Sequence, residues 1–94
     1  MQFEWDPKKA KSNLRKHRVS FSEAIMVFSD VFSFTYDDAA NSHGEQRYVT
    51  LGMSAQSRRG VLVVAHTMQG EKVRLISARK ATPRERRAYE EENK

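Results

Sequence analysis

Residues 72–89 read KVRLISARKATPRERRAY, a short apolar strand that runs without a break into a basic helix. Val73, Leu75 and Ile76, with the apolar run VLVV at 61–64 upstream, have the composition of buried β-structure. Lys72, Arg74, Arg79, Lys80, Arg84, Arg86 and Arg87 crowd the same segment with cations, and Glu85 is the only acid among them. A strand-to-helix junction fixes its side chains better than a loop does, so guanidinium groups placed there can hold a phosphate in a set orientation. This segment is the candidate functional centre.

Working outward, three strands are predicted at 47–54, 61–68 and 72–78, separated by a loop at 55–60 and by the tight Gln69-Gly70 turn. Connections this short force consecutive strands to be antiparallel neighbours. The last helix has a marked start: Thr82 caps it, Pro83 takes the first helical position, and Glu85 completes a capping box. Its acidic end at 90–93 is expected to fray. At the other end of the chain, Phe3 and Trp5 alternate with Gln2 and Glu4 as a short strand. Asp6-Pro7 opens a helix to about His17, with Ala10 and Leu14 as a narrow apolar stripe among Lys8, Lys9, Lys11, Arg15 and Lys16.

Arg18 and Val19 break that helix, and Ser20 with Glu23 forms a capping box for a second, whose apolar face is Ala24, Ile25, Val27 and Phe28. Residues 31–36 read as extended, and 37–44 as a polar loop. The expected fold is α+β: an antiparallel β-sheet with two N-terminal helices on one face and a C-terminal helix. The uncovered face of the sheet is then available for a ligand or partner.

With 94 residues the chain is read as one domain, able to bury roughly two-thirds of its unfolded surface. Seventeen Lys and Arg against twelve Asp and Glu give a net charge of +5. The charges are segregated: Asp30, Asp37, Asp38 and Glu45 fall in a middle stretch without Lys or Arg, between two basic ends. Such segregation suits a face for a polyanion, although a solvated basic surface has the same composition. There is no cysteine, hence no disulfide, thiolate nucleophile or Cys-ligated zinc. No apolar run approaches the ~20 residues of a membrane span, and a soluble cytoplasmic protein is expected.

Three blocks carry a family resemblance: FEWDPKKAKSNLRKHRVSFSEA at 3–24, GEQRYVTLG at 44–52 and VRLISARKATPRERRAY at 73–89. Together, and in this order, they resemble the BrnT family of type II toxins; the stretch 31–43 matches only loosely. The resemblance implies a RelE-like fold, a ribonuclease activity that stops translation, and a BrnA-type antitoxin partner encoded alongside, with which the chain would form a hetero-oligomer. No cofactor is expected, and no membrane association.

In metal-free RNA cleavage the ribose 2′-hydroxyl attacks its own phosphate, which calls for a base, an acid for the leaving 5′-oxygen and cations for the charge developing on phosphorus. Candidates for these catalytic roles are His17, Glu45, Arg47, Arg74 and Arg79. Arg79, at the junction, reads as a phosphate clamp; Arg74 reads as a second clamp or a salt-bridge partner. Five residues apart, the two cannot project from one side of an ideal strand, so either the strand ends near Ile76 or their jobs differ. Glu45 and Arg47 alternate at a strand start, with Glu45 either a general base or a structural partner of an arginine. His17, at a helix C-terminus that favours its protonated form, reads as a general acid, a phosphate contact or a cap.

Lys16, Lys80, Arg84 and Tyr89 are candidate RNA contacts. Phe34, Tyr36, Tyr48 and Tyr89 either stack on bases or fill the core. His66 reads as a core histidine and His43 as exposed; no histidine spacing forms a metal signature. The same basic face would also serve a non-catalytic nucleic-acid-binding or protein-interaction module.

Overall fold

Local signals set the helix starts. Asp6 accepts a hydrogen bond from the Lys8 backbone N–H at 2.9 Å, and Pro7 opens the helix α1 (Pro7–His17). It ends on Arg18 in the left-handed conformation (φ 60°), whose N–H donates to the Leu14 carbonyl. Ser20 accepts from the Glu23 N–H at 3.0 Å and starts α2 (Phe21–Ala24). The expected longer helix tightens after one turn into a 3₁₀ segment, Ile25–Ser29. The computed structural model describes residues 1–55 and 60–92, and most of the predicted 55–60 connection lies outside the described residues, as does Asn93.

The strands are β1 (Gln2–Glu4), β2 (Phe34–Asp37), β3 (Tyr48–Met53), β4 (Val61–Gln69) and β5 (Lys72–Lys80), followed by α3 (Pro83–Glu92). The extended stretch expected from Val31 begins only at Phe34. Asp30 takes the chain into a turn first, its carboxylate accepting from the Phe32 N–H and its carbonyl from the Ser33 N–H, both at 2.9 Å. At the far end α3 remains helical through Glu92, where fraying was expected from residue 90.

All five strands join one sheet in the order β1-β5-β4-β3-β2. The fold is α+β, but the sheet is mixed, which corrects the purely antiparallel expectation. β2 through β5 pair antiparallel, whereas β1 lies parallel to β5 with Phe3 opposite Val73. Short turns dictate direction only between consecutive strands. β1 and β5 stand at opposite ends of the chain, so no turn constrains them.

β4 alternates between two cores. Leu62 and Val64 pack with Val19, Phe21, Ala24, Val27, Val73, Leu75 and Ala78, the side covered by α1, α2 and the 3₁₀ segment. Val61 and Val63 pack with Val49, Leu51 and Tyr89, the side on which α3 lies. Successive side chains of a strand point to opposite faces, so these are the two faces of the sheet. Gly52, in mid-β3, admits the 3₁₀ segment: a Cβ there would stand 2.7 Å from Val27 Cγ1 and 2.9 Å from Ser33 Cβ.

The β4–β5 register shifts between Ala65 and His66, which pair with Ser77 and Leu75, leaving Ile76 as an extra residue. This bulge reverses the parity of β5. Arg74 and Arg79 therefore emerge on the same face, that of α3, and β5 runs on to Lys80. The two alternatives posed for an ideal strand assumed a regular ladder that the bulge interrupts.

Because β1 covers only the first residues of β5, the outer edge beyond is open, and the buried Asn13 of α1 closes it. Its Nδ2 donates to the carbonyls of Ala78 (2.8 Å) and Val19 (2.9 Å), and its Oδ1 accepts from the Ala78 N–H at 3.0 Å. His66 is buried on the α1 face between Phe28 and Tyr48, with Nε2 2.9 Å from Thr50 Oγ1. Burial lowers its pKa to about 4.

Two measurements test this packing. Asn13→Ala leaves three buried backbone groups without their partner and should lower stability by about 3 kcal/mol in urea unfolding; a loss under about 1 kcal/mol would show that the amide is dispensable. The folded chain keeps His66 neutral while the unfolded chain protonates it near the ordinary 6.5. Its contribution to stability is therefore complete above 6.5 and lost as pH falls through about 4. The melting temperature should drop across that window, and His66→Gln, which retains a partner for Thr50, should flatten the drop.

Candidate functional site

The turn from β5 into α3 is tied at several points. The Ala81 N–H donates to the Val61 carbonyl at 2.9 Å, bringing the chain off the sheet edge. Thr82 Oγ1 then accepts from the Glu85 N–H at 3.2 Å, while Glu85 Oε1 accepts from the Thr82 N–H at 2.8 Å, so the predicted capping box is closed. Glu85 also receives Arg79: Nη1 donates to Oε1 and Nη2 to Oε2, both at 2.8 Å. The hydrogen bond from Arg79 holds the Glu85 carboxyl down at about 2, against the opposing effect of burial. Arg79 is raised in turn, chiefly by the same bond.

One turn further along, α3 is fastened by Tyr89, whose hydroxyl donates to Asp30 Oδ2 at 2.6 Å. That oxygen also accepts the Met53 N–H at 2.8 Å. Burial pushes the Asp30 carboxyl up, but the bonds from Tyr89, Met53 and Phe32 outweigh it and the net effect is downward. Burial and the adjacent Asp30 push the Tyr89 phenol up to about 12.

A second set of bonds shapes the loop between β2 and β3. The Asp38 N–H donates to the Arg47 carbonyl, and the Arg47 N–H to Ser42 Oγ, both at 2.9 Å; Ser42 Oγ donates to the Asp38 carbonyl at 2.7 Å. Asn41 Nδ2 reaches both Asp38 carboxylate oxygens, at 3.2 and 3.0 Å. This knot holds Arg47 at the mouth of β3, on the hollow that Arg79 also lines.

Between the loop and the strand-to-helix turn lies a hollow of about 290 Å³. Val49, Val63 and Ala65 make its floor, with Ile76 and Ser77 of the bulge beside them. Arg47, Arg79, Asp38 and Asn41 supply its polar groups. Tyr36 pairs with Val49 across β2 and β3 and so flanks the hollow on the same face. Its phenol is pushed up by burial and then by the Glu85 and Asp38 carboxylates, so it keeps its proton at neutral pH.

Of the residues singled out in the sequence, the hollow joins Arg47 and Arg79. Glu45 is exposed in the preceding bend, since β3 begins only at Tyr48, and it does not line the hollow. Arg74 shares the face of Arg79 but leans toward β1, with Nη1 3.8 Å from Glu4. Lys16 and His17 are exposed at the end of α1, the helix packed on the opposite face. Lys80 pairs with Leu62 and points toward that face too. Arg84 is exposed in the first turn of α3, and Tyr89 is buried in the sheet.

Asp38 and Asn41 were absent from the sequence-derived site, and Tyr36 entered it only as an aromatic for base stacking or the core. Tyr36 is legible in retrospect, because alternation along β2 puts it and Phe34 on one face. Asp38 and Asn41 come from the polar loop, where only the pairing of Asp38 with Arg47 reveals their direction.

Chemically the hollow offers two guanidinium groups for a phosphate, the Asp38 carboxylate, the Asn41 amide and the Ser77 hydroxyl, with the protonated Tyr36 phenol beside it. Glu85 is held ionised and acts only as an acceptor. Among the described residues no three His, Asp or Glu side chains gather as metal ligands, and no helix is long and apolar enough to cross a membrane.

No curated protein matches the chain. Residues 5–85 match the model of a family described as "Ribonuclease toxin, BrnT, of type II toxin-antitoxin system". The match runs from Trp5 to Glu85 and so takes in α1, the whole β2–β5 meander and both members of the Arg79–Glu85 pair. The chain belongs to the BrnT ribonuclease toxins of type II toxin-antitoxin systems.

Proposed function

We propose that the chain is an endoribonuclease that cleaves RNA in the hollow without a metal ion, stops translation by doing so, and is neutralised in the cytoplasm by a BrnA-type antitoxin. The observation that carries this reading is the convergence of Arg47 and Arg79 on one hollow that also holds a carboxylate. The same reading takes the five-stranded sheet as a RelE-like scaffold.

Arg47 and Arg79 would hold the scissile phosphate and offset the charge that grows on its oxygens. Asp38 accepts the proton of the attacking 2′-hydroxyl, and Tyr36 donates one to the departing 5′-oxygen. The products are a 2′,3′-cyclic phosphate and a 5′-hydroxyl. In this scheme Glu45, outside the hollow, takes no step, and His17 and Lys16 belong to a separate surface.

That surface is α1. It has no acid in its first turn and carries Lys8 and Lys9 there, where the positive end of the helix dipole disfavours cations. Helix stability gives no reason for them; an acidic partner does. With Arg84 and Arg87 of α3 they are the cations we assign to the antitoxin.

Purified protein incubated with RNA in EDTA should cleave it, leaving cyclic phosphate ends. Arg79→Ala should abolish growth inhibition and cut cleavage about a hundredfold or more to a measurable residual rate, and Asp38→Asn should slow cleavage more than Glu45→Gln. Since Arg79 is paired with Glu85, Arg79→Ala should also cost about 1–2 kcal/mol of stability. RNA left intact by well-folded wild-type protein would favour a non-catalytic binding module. Neutralising Lys8, Lys9, Lys11, Arg84 and Arg87 together should weaken antitoxin binding at least tenfold, roughly the effect of removing several favourable charge contacts. A complex of unchanged affinity would put the contact elsewhere.

A further inference from the structure

Glu85 does two things at once: it closes the capping box of α3 and it engages Arg79 end-on, through one N–H of each terminal nitrogen. A further contact from Nη1 reaches the Lys80 carbonyl at 3.3 Å. Among the described residues nothing engages Nε–H or the second N–H of Nη2. Those two donors are parallel and form the side-on fork of the guanidinium, matched in spacing to two oxygens of a phosphate.

We propose that Glu85 is a positioning residue: by occupying the end-on edge of Arg79 it fixes the plane of the guanidinium and turns the side-on edge toward the hollow for the RNA phosphate. Residue 85 sits in the first turn of a helix whose start it also secures, so the orientation of Arg79 is tied to the docking of α3. Without that anchor, a side chain as long as arginine would sample several rotamers at a strand end, and the phosphate would have to order it on binding. Glu85 touches no substrate in this account. It acts through Arg79, and the inference rests on the ribonuclease reading of the hollow.

Glu85→Gln separates the two roles, because Gln also closes a capping box but brings no charge to Arg79. Its far-ultraviolet circular dichroism should match the wild type. Its kcat for RNA cleavage should fall at least about tenfold, the scale of a displaced catalytic group, with KM within about threefold. In an Arg79→Ala background the same change should have no further effect, since the residue through which it acts is gone. An uncleavable 2′-deoxy oligonucleotide should shift the Arg79 Nε–H resonance of the wild type, and less so that of Glu85→Gln.

Wild-type turnover by Glu85→Gln, or a further loss in the Arg79→Ala background, would overturn the proposal. So would oligonucleotide binding that leaves the Arg79 Nε–H resonance unmoved. If the wild type cleaves nothing but the resonance shifts as described, the ribonuclease reading fails and the positioning of Arg79 stands.

Discussion

β4 is apolar on both sides, and that single constraint organises the molecule. A strand with Leu62 and Val64 on one face and Val61 and Val63 on the other must be covered twice. The N-terminal helices and the 3₁₀ segment cover one face. The other is covered at one end by α3, through Tyr89, and the part α3 leaves bare is the floor of the hollow. The candidate site is thus the portion of a two-sided core that no helix covers among the described residues.

Three acidic residues tie together the elements around this open portion. Asp30 links the turn before β2, the end of β3 and α3 through its carboxylate, Glu85 joins β5 to α3 through its own, and Asp38 joins both ends of the β2–β3 loop through its backbone N–H and carbonyl. At Asp30 and Glu85 the carboxylate is satisfied by backbone N–H groups and by a side chain of another element, the condition under which a partly buried carboxylate stabilises a fold. The ion pairs among the described residues, Arg79 with Glu85 and Arg74 with Glu4, fall within the two basic ends of the sequence, while α1 remains a cationic surface on the other side of the sheet.

The bulge at Ile76 has the largest consequence for the smallest change. In a regular β5 the residue at position 79 would share the face of Val73 and Leu75 and be directed into the α1 core. One extra residue turns it to the other side. Arg79 then meets Glu85 and lines the hollow with Arg47, and Ala78 takes the core position instead, its backbone held by Asn13.

Capping chemistry, turn residues and apolar runs were sufficient to place α1 from Asp6-Pro7, the start of α3 at Thr82-Pro83 and the strands β3 to β5, because each depends on neighbours within a few residues. The three sequence blocks likewise carried the family, and Arg47 and Arg79 stood out by charge and location. The parallel seat of β1, the bulge, the burial of Tyr89 and the recruitment of Asp38 and Tyr36 were decided only in three dimensions. Each depends on which residue of a distant strand or loop lies opposite, and register between segments far apart in the chain is set by how both faces of the sheet pack, which no local pattern contains.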